Sequence, residues 1–233
     1  MTGLVRYARR GGGRPPPDRE LLEIDAGGSF RLWRSLATAS DPPTPVGRFS
    51  GSLGRSALQD LRAGVAAAAP QGDLVLDPPP GAALETIEVE GATATMGHHG
   101  KPPGPWGDVA ALLRRFLWEL TAHPEAAVAL DLGGAVAALT HLGRETIRLD
   151  TGRLHVRVVH WLAEEVAGDW EATPAPLGDG PPIEAGPGWS LPLPFDHPFS
   201  PSPRGDLDVY ASLVAYDGEE RVEVQLYGSK RAE

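Results

Sequence analysis

The chain contains no cysteine, so disulfide frameworks, thiol nucleophiles and thiolate metal sites are excluded together. Lysine is nearly missing: Lys101 and Lys230 stand alone, and nineteen of the 21 basic side chains are arginines. No run of about 18 apolar residues occurs, so no transmembrane helix is predicted. The opening stretch MTGLVRYARRGGGRPPP has no apolar segment of signal-peptide type. The expected setting is the cytoplasm.

Catalytic signatures are missing as well. Gly47–Gly54 reads G-R-F-S-G-S-L-G, which places Ser50 three positions after Gly47 and misses the G-x-S-x-G turn that presents a nucleophilic serine. The run G-G-G-R-P-P-P lacks the G-K-[ST] ending of a phosphate loop and leads into proline instead of a helix. No histidine pair has the H-x-x-x-H or H-E-x-x-H spacing of a zinc site. His98-His99 with Asp108 is the nearest approach to a metal set. Asp108 and His123 lie roughly 22 Å apart along a helix rising 1.5 Å per residue, too far to share an ion. His155 and His160, an odd number of positions apart, fall on opposite faces of a strand. Asp196, Asp206 and Asp208 suit a hard cation such as calcium, or equally a strand start in an acidic domain. No metal and no cofactor is assigned.

Glycine and proline are plentiful, at 29 and 24 residues, which predicts a globular chain with long loops. The net charge of −10 is unevenly spread: residues 1–62 carry +4 and the remainder −14. That acidic remainder argues against nucleic acid or an anionic membrane as partner. The cluster Arg6, Arg9, Arg10 and Arg14 reads as a contact for an acidic partner or, the commoner case, a solvated strand edge.

Apolar residues Val109, Leu112, Leu113, Phe116, Leu117 and Leu120 form one helical stripe and predict a helix over Asp108–Ala122. Asp108 is its expected N-cap, and Pro124 closes it. A second helix is predicted over Arg55–Ala69, stopped by Pro70, with Gly64 costing about 1 kcal/mol against alanine. Strands are expected at Leu4–Arg10, Glu20–Asp25, Ser29–Leu36, Val46–Leu53, Leu84–Glu90 and Ala92–Met96. After Pro124 the pattern changes. Ala127–Leu132 reads as a strand. Glu145–Leu149 and Leu154–Leu162 read as a hairpin around Asp150–Arg153, and Val209–Tyr216 with Arg221–Tyr227 as another around Asp217–Glu220. Residues 1–124 are therefore expected to be an α+β domain, an antiparallel sheet with two helices on one face. Residues 126–233 are expected to form an all-β, sandwich-like second domain.

The order of these elements in residues 4–122, together with Arg10-Gly11-Gly12, resembles the emfourin-type small protein inhibitors of thermolysin-like metalloproteases. The resemblance covers about half the chain and transfers no inhibitory residue. It implies a protease as partner and occlusion of the protease cleft as mechanism. Trp33 and Trp118 are expected in or beside the core. Trp106 and Trp189, in Pro/Gly loops, are residues of the type found at binding hot spots.

These features predict a non-enzymatic, macromolecule-binding protein. The candidate contact residues are Arg10, Gly11, Gly12, His98, His99 and Trp106, and the partner is another protein. The rival classes are a metal-assisted hydrolase built on His98, His99 and Asp108, and a structural subunit of a larger assembly.

Overall fold

A computed structural model describes residues 3–11, 19–36, 44–98, 100–133, 137–162, 165–172, 181–193 and 205–230. The fold is mixed α+β. By its contacts the chain forms two units, one of Met1–Arg34 with Arg48–His123 and one of Ser35–Gly47 with Pro124–Glu233.

The first unit contains β1 (Gly3–Arg10), β2 (Arg19–Asp25), β3 (Ser29–Arg34), β4 (Val46–Ser52), helix α1 (Arg55–Ala68), β5 (Leu74–Val75), β6 (Leu84–Val89), β7 (Ala92–Gly97) and helix α2 (Gly104–Glu119). Its strand order is β4-β3-β2-β1-β6-β7-β5. The pairings β1–β2, β1–β6, β2–β3 and β6–β7 are antiparallel, whereas β5 joins β7 in parallel. Alternation decides the faces. Val5 and Tyr7, Leu22 and Ile24, Phe30 and Leu32, and Ile87 are all buried at every second position of their strands. β1 is therefore a central strand and not an edge.

The helices pack on one another. Leu61, Val65 and Ala68 of α1 and Val109, Ala110, Leu113, Phe116 and Leu117 of α2 are buried. A Cβ added to Gly64 would lie 3.1 Å from Val109 Cγ2. The glycine that weakens α1 as an isolated helix is thus the point where α2 comes close.

Helix α2 starts four residues before the predicted Asp108. Pro105 is in its first turn, where a proline forfeits no helical hydrogen bond. GPWG is therefore helix and not loop. Asp108 is an exposed residue inside the helix rather than its cap. Trp118, expected in or beside the core, is 50% exposed.

The second unit contains β8 (Pro124–Asp131), β9 (Ala137–Gly143), β10 (Ile147–Leu162), β11 (Glu165–Ala172), β12 (Ile183–Ala185), β13 (Ser190–Leu193), β14 (Gly205–Asp217) and β15 (Glu220–Lys230). β13, β9 and β8 are neighbours in that order, and β11-β10-β14-β15 form a second sheet that β12 joins through β10. The two layers meet face to face, sandwich-like: the Cα of Gly228 on β15 lies so close to β8 that an added Cβ would be 3.1 Å from Leu130 Cδ2. The predicted hairpin around Asp150–Arg153 does not exist. β10 is one strand of 16 residues, and opposite β14 its register jumps from Asp150↔Val214 to His155↔Ser212. The glycine and polar residues of D-T-G-R make a bulge instead of a turn. The hairpin around Asp217–Glu220 forms as expected.

Candidate functional site

Four strands of the first unit each place one charged residue in phase with their buried apolar residues. Register then aligns these charges. Arg34 faces Glu20 across β3 and β2, Glu20 faces Arg9 across β2 and β1, and Arg9 faces Glu85 across β1 and β6. The result is a transverse row, Arg34–Glu20–Arg9–Glu85, alternating in sign. All four are buried, Glu85 at 0%, Glu20 at 1%, Arg34 at 2% and Arg9 at 6% exposure.

The contacts follow the charges. Arg34 Nε donates to Glu20 Oε1 at 2.6 Å, and Arg9 Nε lies 3.2 Å from Glu20 Oε2. Arg114 of α2 reaches down to Glu85, its Nη2 2.6 Å and its Nε 3.1 Å from Oε2. The Arg114 Nη1 also donates to the carbonyl of Gly100 at 2.8 Å, tying the chain after β7 to the helix. His98 is paired with Glu85 through Nδ1, and Arg9 Nη1 donates to His98 Nε2 at 3.1 Å. An arginine can only donate, so Nε2 accepts and the ring proton sits on Nδ1, directed at Glu85. Trp118, one turn along α2 from Arg114, lies over the other end of the row, its ring centroid 5.9 Å from the Arg34 guanidinium carbon.

Burial by itself would raise the Glu85 carboxyl, but the hydrogen bonds from His98 and Arg114 outweigh it and bring the value down to about 2. Burial pushes the Tyr7 phenol up, and the nearby Glu85 and Glu20 carboxylates add to this, so it stays protonated. Neither group exchanges a proton near neutral pH. The chemistry of the row is recognition within the protein. A shift of β1 by one residue would bury unpaired charges at a cost of several kcal/mol, so the row specifies register. The opposite face carries a second set, Arg6 with Glu23 and Glu88 at 3.4 and 3.2 Å. Those pairs are half exposed and contribute at most about 1 kcal/mol each.

Comparison with family models, with curated proteins and with solved structures finds no match to this chain. The site rests on its own geometry.

Arg10 is exposed at the end of β1, opposite Leu84, and Leu84 is opposite Gly97. Gly11 follows with φ of 81°, a conformation glycine adopts without strain. Register thus brings Arg10 and Gly11 to the same sheet end as His98. Gly12 and His99 lie outside the described residues. Trp106 is elsewhere: it is 2% exposed in the first turn of α2, and its Nε1 donates to the Gly72 carbonyl at 3.2 Å. It is a core residue because the helix begins before it, and not a partner anchor. Both His98 ring nitrogens face side chains of the row, and Asp108 is on the exposed side of α2, so these two do not form a ligand set. In the second unit, Asp208 accepts from Trp161 Nε1 and from the Tyr227 hydroxyl at 2.9 and 2.8 Å, which ties its carboxylate to neighbouring strands.

The solvated-edge reading of Arg6, Arg9 and Arg10 fails for Arg9. Residues three or one apart on a strand point to opposite faces, so Arg6 and Arg10 are outside and Arg9 inside. Arg14 lies outside the described residues. The row itself was not anticipated from sequence, although its signal was present: a charge at the core phase of four separate strands.

Proposed function

We propose that the protein is a non-enzymatic binding module of the cytoplasm. Its contact surface is the sheet end that carries Arg10, Gly11 and His98, and its partner is another protein. A thermolysin-like metalloprotease is the first candidate, because the element order of the first unit resembles emfourin-type inhibitors. The observation that supports this reading is the convergence of two separate stretches, Arg10–Gly11 and the end of β7 with His98 after it, at one end of one sheet. The buried row holds both stretches in place: Arg9 and Glu85 clamp His98, and Arg114 holds Gly100. A surface fixed in this way loses little conformational freedom on binding, which favours affinity. Arg10 and Lys101 are exposed there and suit an acidic patch on the partner.

The test is inhibition of a thermolysin-like protease by excess protein. The wild type should lower peptidase activity, and Arg10→Glu should weaken inhibition at least about tenfold, the size of 1.4 kcal/mol. Unchanged peptidase activity with the wild type would remove the protease as partner. Affinity capture with wild type and Arg10→Glu in parallel then tests the surface itself, which predicts a host protein retained by the first and lost with the second.

A further inference from the structure

The bulge in β10 interrupts the second sheet at its middle. Register with β12 ends at Leu149, register with β11 begins at Val156, and on β14 it jumps from Val214 to Ser212. Bulges are concentrated next to sites, where they re-aim a side chain. The side chain set by this one is Arg153, which is 67% exposed and has its Nε 3.9 Å from Asp150 Oδ2. Arg221 Nη2 reaches the same oxygen at 3.4 Å. Both distances exceed those of a charge-assisted hydrogen bond. Asp150 therefore keeps the two arginines near each other without using up their donors. A third arginine joins them through Tyr216. Arg148, Tyr216 and Arg221 face one another across β10, β14 and β15. The guanidinium carbons of Arg148 and Arg221 lie 3.9 and 6.0 Å from the Tyr216 ring centre. Stacking fixes the plane of Arg148, yet its guanidinium has no acceptor among the described residues, and its Nε is shielded from solvent. The next acids on these strands, Glu184 and Glu223, are exposed. Among the described residues they pair with none of the three arginines.

We infer that Arg148, Arg153 and Arg221 form a binding site for one phosphate group, on the face of the second sheet that carries Tyr216. A phosphate matches the three arginines in number, because each of its three terminal oxygens can take a guanidinium edge, whereas a carboxylate fills one fork. It also matches in charge. The three arginines share contact with one carboxylate, Asp150, and a phosphoester carries about −1.5 to −2 at neutral pH. The stack on Tyr216 and the tie to Asp150 hold the arginines in advance, which lowers the ordering cost of binding. The phosphate is either the free ion or the phosphoester of a phosphorylated serine in a bound protein. The site belongs to the second unit and does not depend on what binds the Arg10–His98 sheet end of the first.

The experiment is a nitrogen-detected NMR titration of the full chain with sodium phosphate replacing chloride at constant ionic strength and neutral pH. The reporters are the Nε–H resonances of Arg148 and Arg221. Both should shift and saturate at the same phosphate concentration. The Arg157 Nε–H, engaged by Asp169 on the same sheet, should stay in place. Arg153→Gln alters an exposed side chain, so the fold persists, and the midpoint should rise roughly tenfold, equivalent to 1.4 kcal/mol. Arg157→Gln removes an equal charge from the same sheet and should leave the midpoint unchanged. A parallel titration uses phosphoserine blocked as its N-acetyl amide. Saturation at lower concentration than inorganic phosphate assigns the site to a phosphorylated protein, and the reverse order to the free ion. Shifts that rise linearly with both compounds would overturn the assignment. So would a midpoint that Arg153→Gln leaves unchanged, or one that Arg157→Gln raises as much.

Discussion

Glu85 is fully buried, yet its carboxyl stays ionised down to about pH 2 because His98 and Arg114 hydrogen-bond to it. In the unfolded chain the same group titrates near 4.5. The unfolded state therefore binds the proton first on acidification, and stability falls as pH drops through that interval. The difference corresponds to roughly 3 kcal/mol, present above about pH 4.5 and lost by about pH 2. Urea titrations from pH 6 to pH 2 should show this fall, and Glu85→Gln should flatten it while lowering stability at neutral pH by roughly 3–5 kcal/mol. An equally steep acid loss in the variant would assign the effect to other carboxylates. Part of this was legible in advance. Arg9 follows Tyr7 by two positions, Glu20 precedes Leu22 by two, Arg34 follows Leu32 by two and Glu85 precedes Ile87 by two, so each charge shares a strand face with the core. Which charge meets which was not legible, because register is a property of paired strands and not of any one of them.

Helix α2 was readable from its stripe, but its start was hidden because proline and glycine in GPWG also suit a loop. Burial of Trp106 against the Gly72 carbonyl decides for helix. Replacing Phe116 by Ala should cost about 3–5 kcal/mol, since the side chain is fully buried, and a urea midpoint shift measures it. Gly64 tests the pairing of the helices. In an isolated helix Gly64→Ala would stabilise by about 1 kcal/mol. Here the new Cβ meets the stiff, fully buried Val109 at 3.1 Å, so the expected result is no gain or a loss of about 1 kcal/mol, within the range for overpacking. Adding Val109→Ala should recover the helix gain in a double-mutant cycle. Additive effects would show that the helices do not meet at this point. Gly47 is more constrained: its φ is 131° and an added Cβ would lie 2.4 Å from the Ala126 carbonyl oxygen. Gly47→Ala should therefore be among the most destabilising changes in the second unit, by more than about 2 kcal/mol, as read by its thermal midpoint.

On the scale of the whole molecule, the change of texture at Pro124 marks where the first unit's chain ends, but residues 35–47 group with the second unit. The Gln225 amide donates to the Ser35 carbonyl at 2.8 Å, and Leu36 bridges to Gln225. Residues 1–124 expressed alone should give a soluble fragment that unfolds cooperatively, with residues 35–47 cut by protease far faster than in the full chain. A fragment that stays unfolded would show that the second unit completes the first. Sequence alone determined the element types, the helix stripes, the hairpin at Asp217–Glu220 and the class of the fold, because these follow from periodicity and turn chemistry within a few neighbouring residues. Tertiary structure alone decided that D-T-G-R is a bulge, that Trp106 is core and Trp118 is not, and that five distant charges form one buried cluster. Each of these depends on which strand or helix lies alongside, and within the cluster that partner is up to 89 residues away in the chain, for Arg9 and His98.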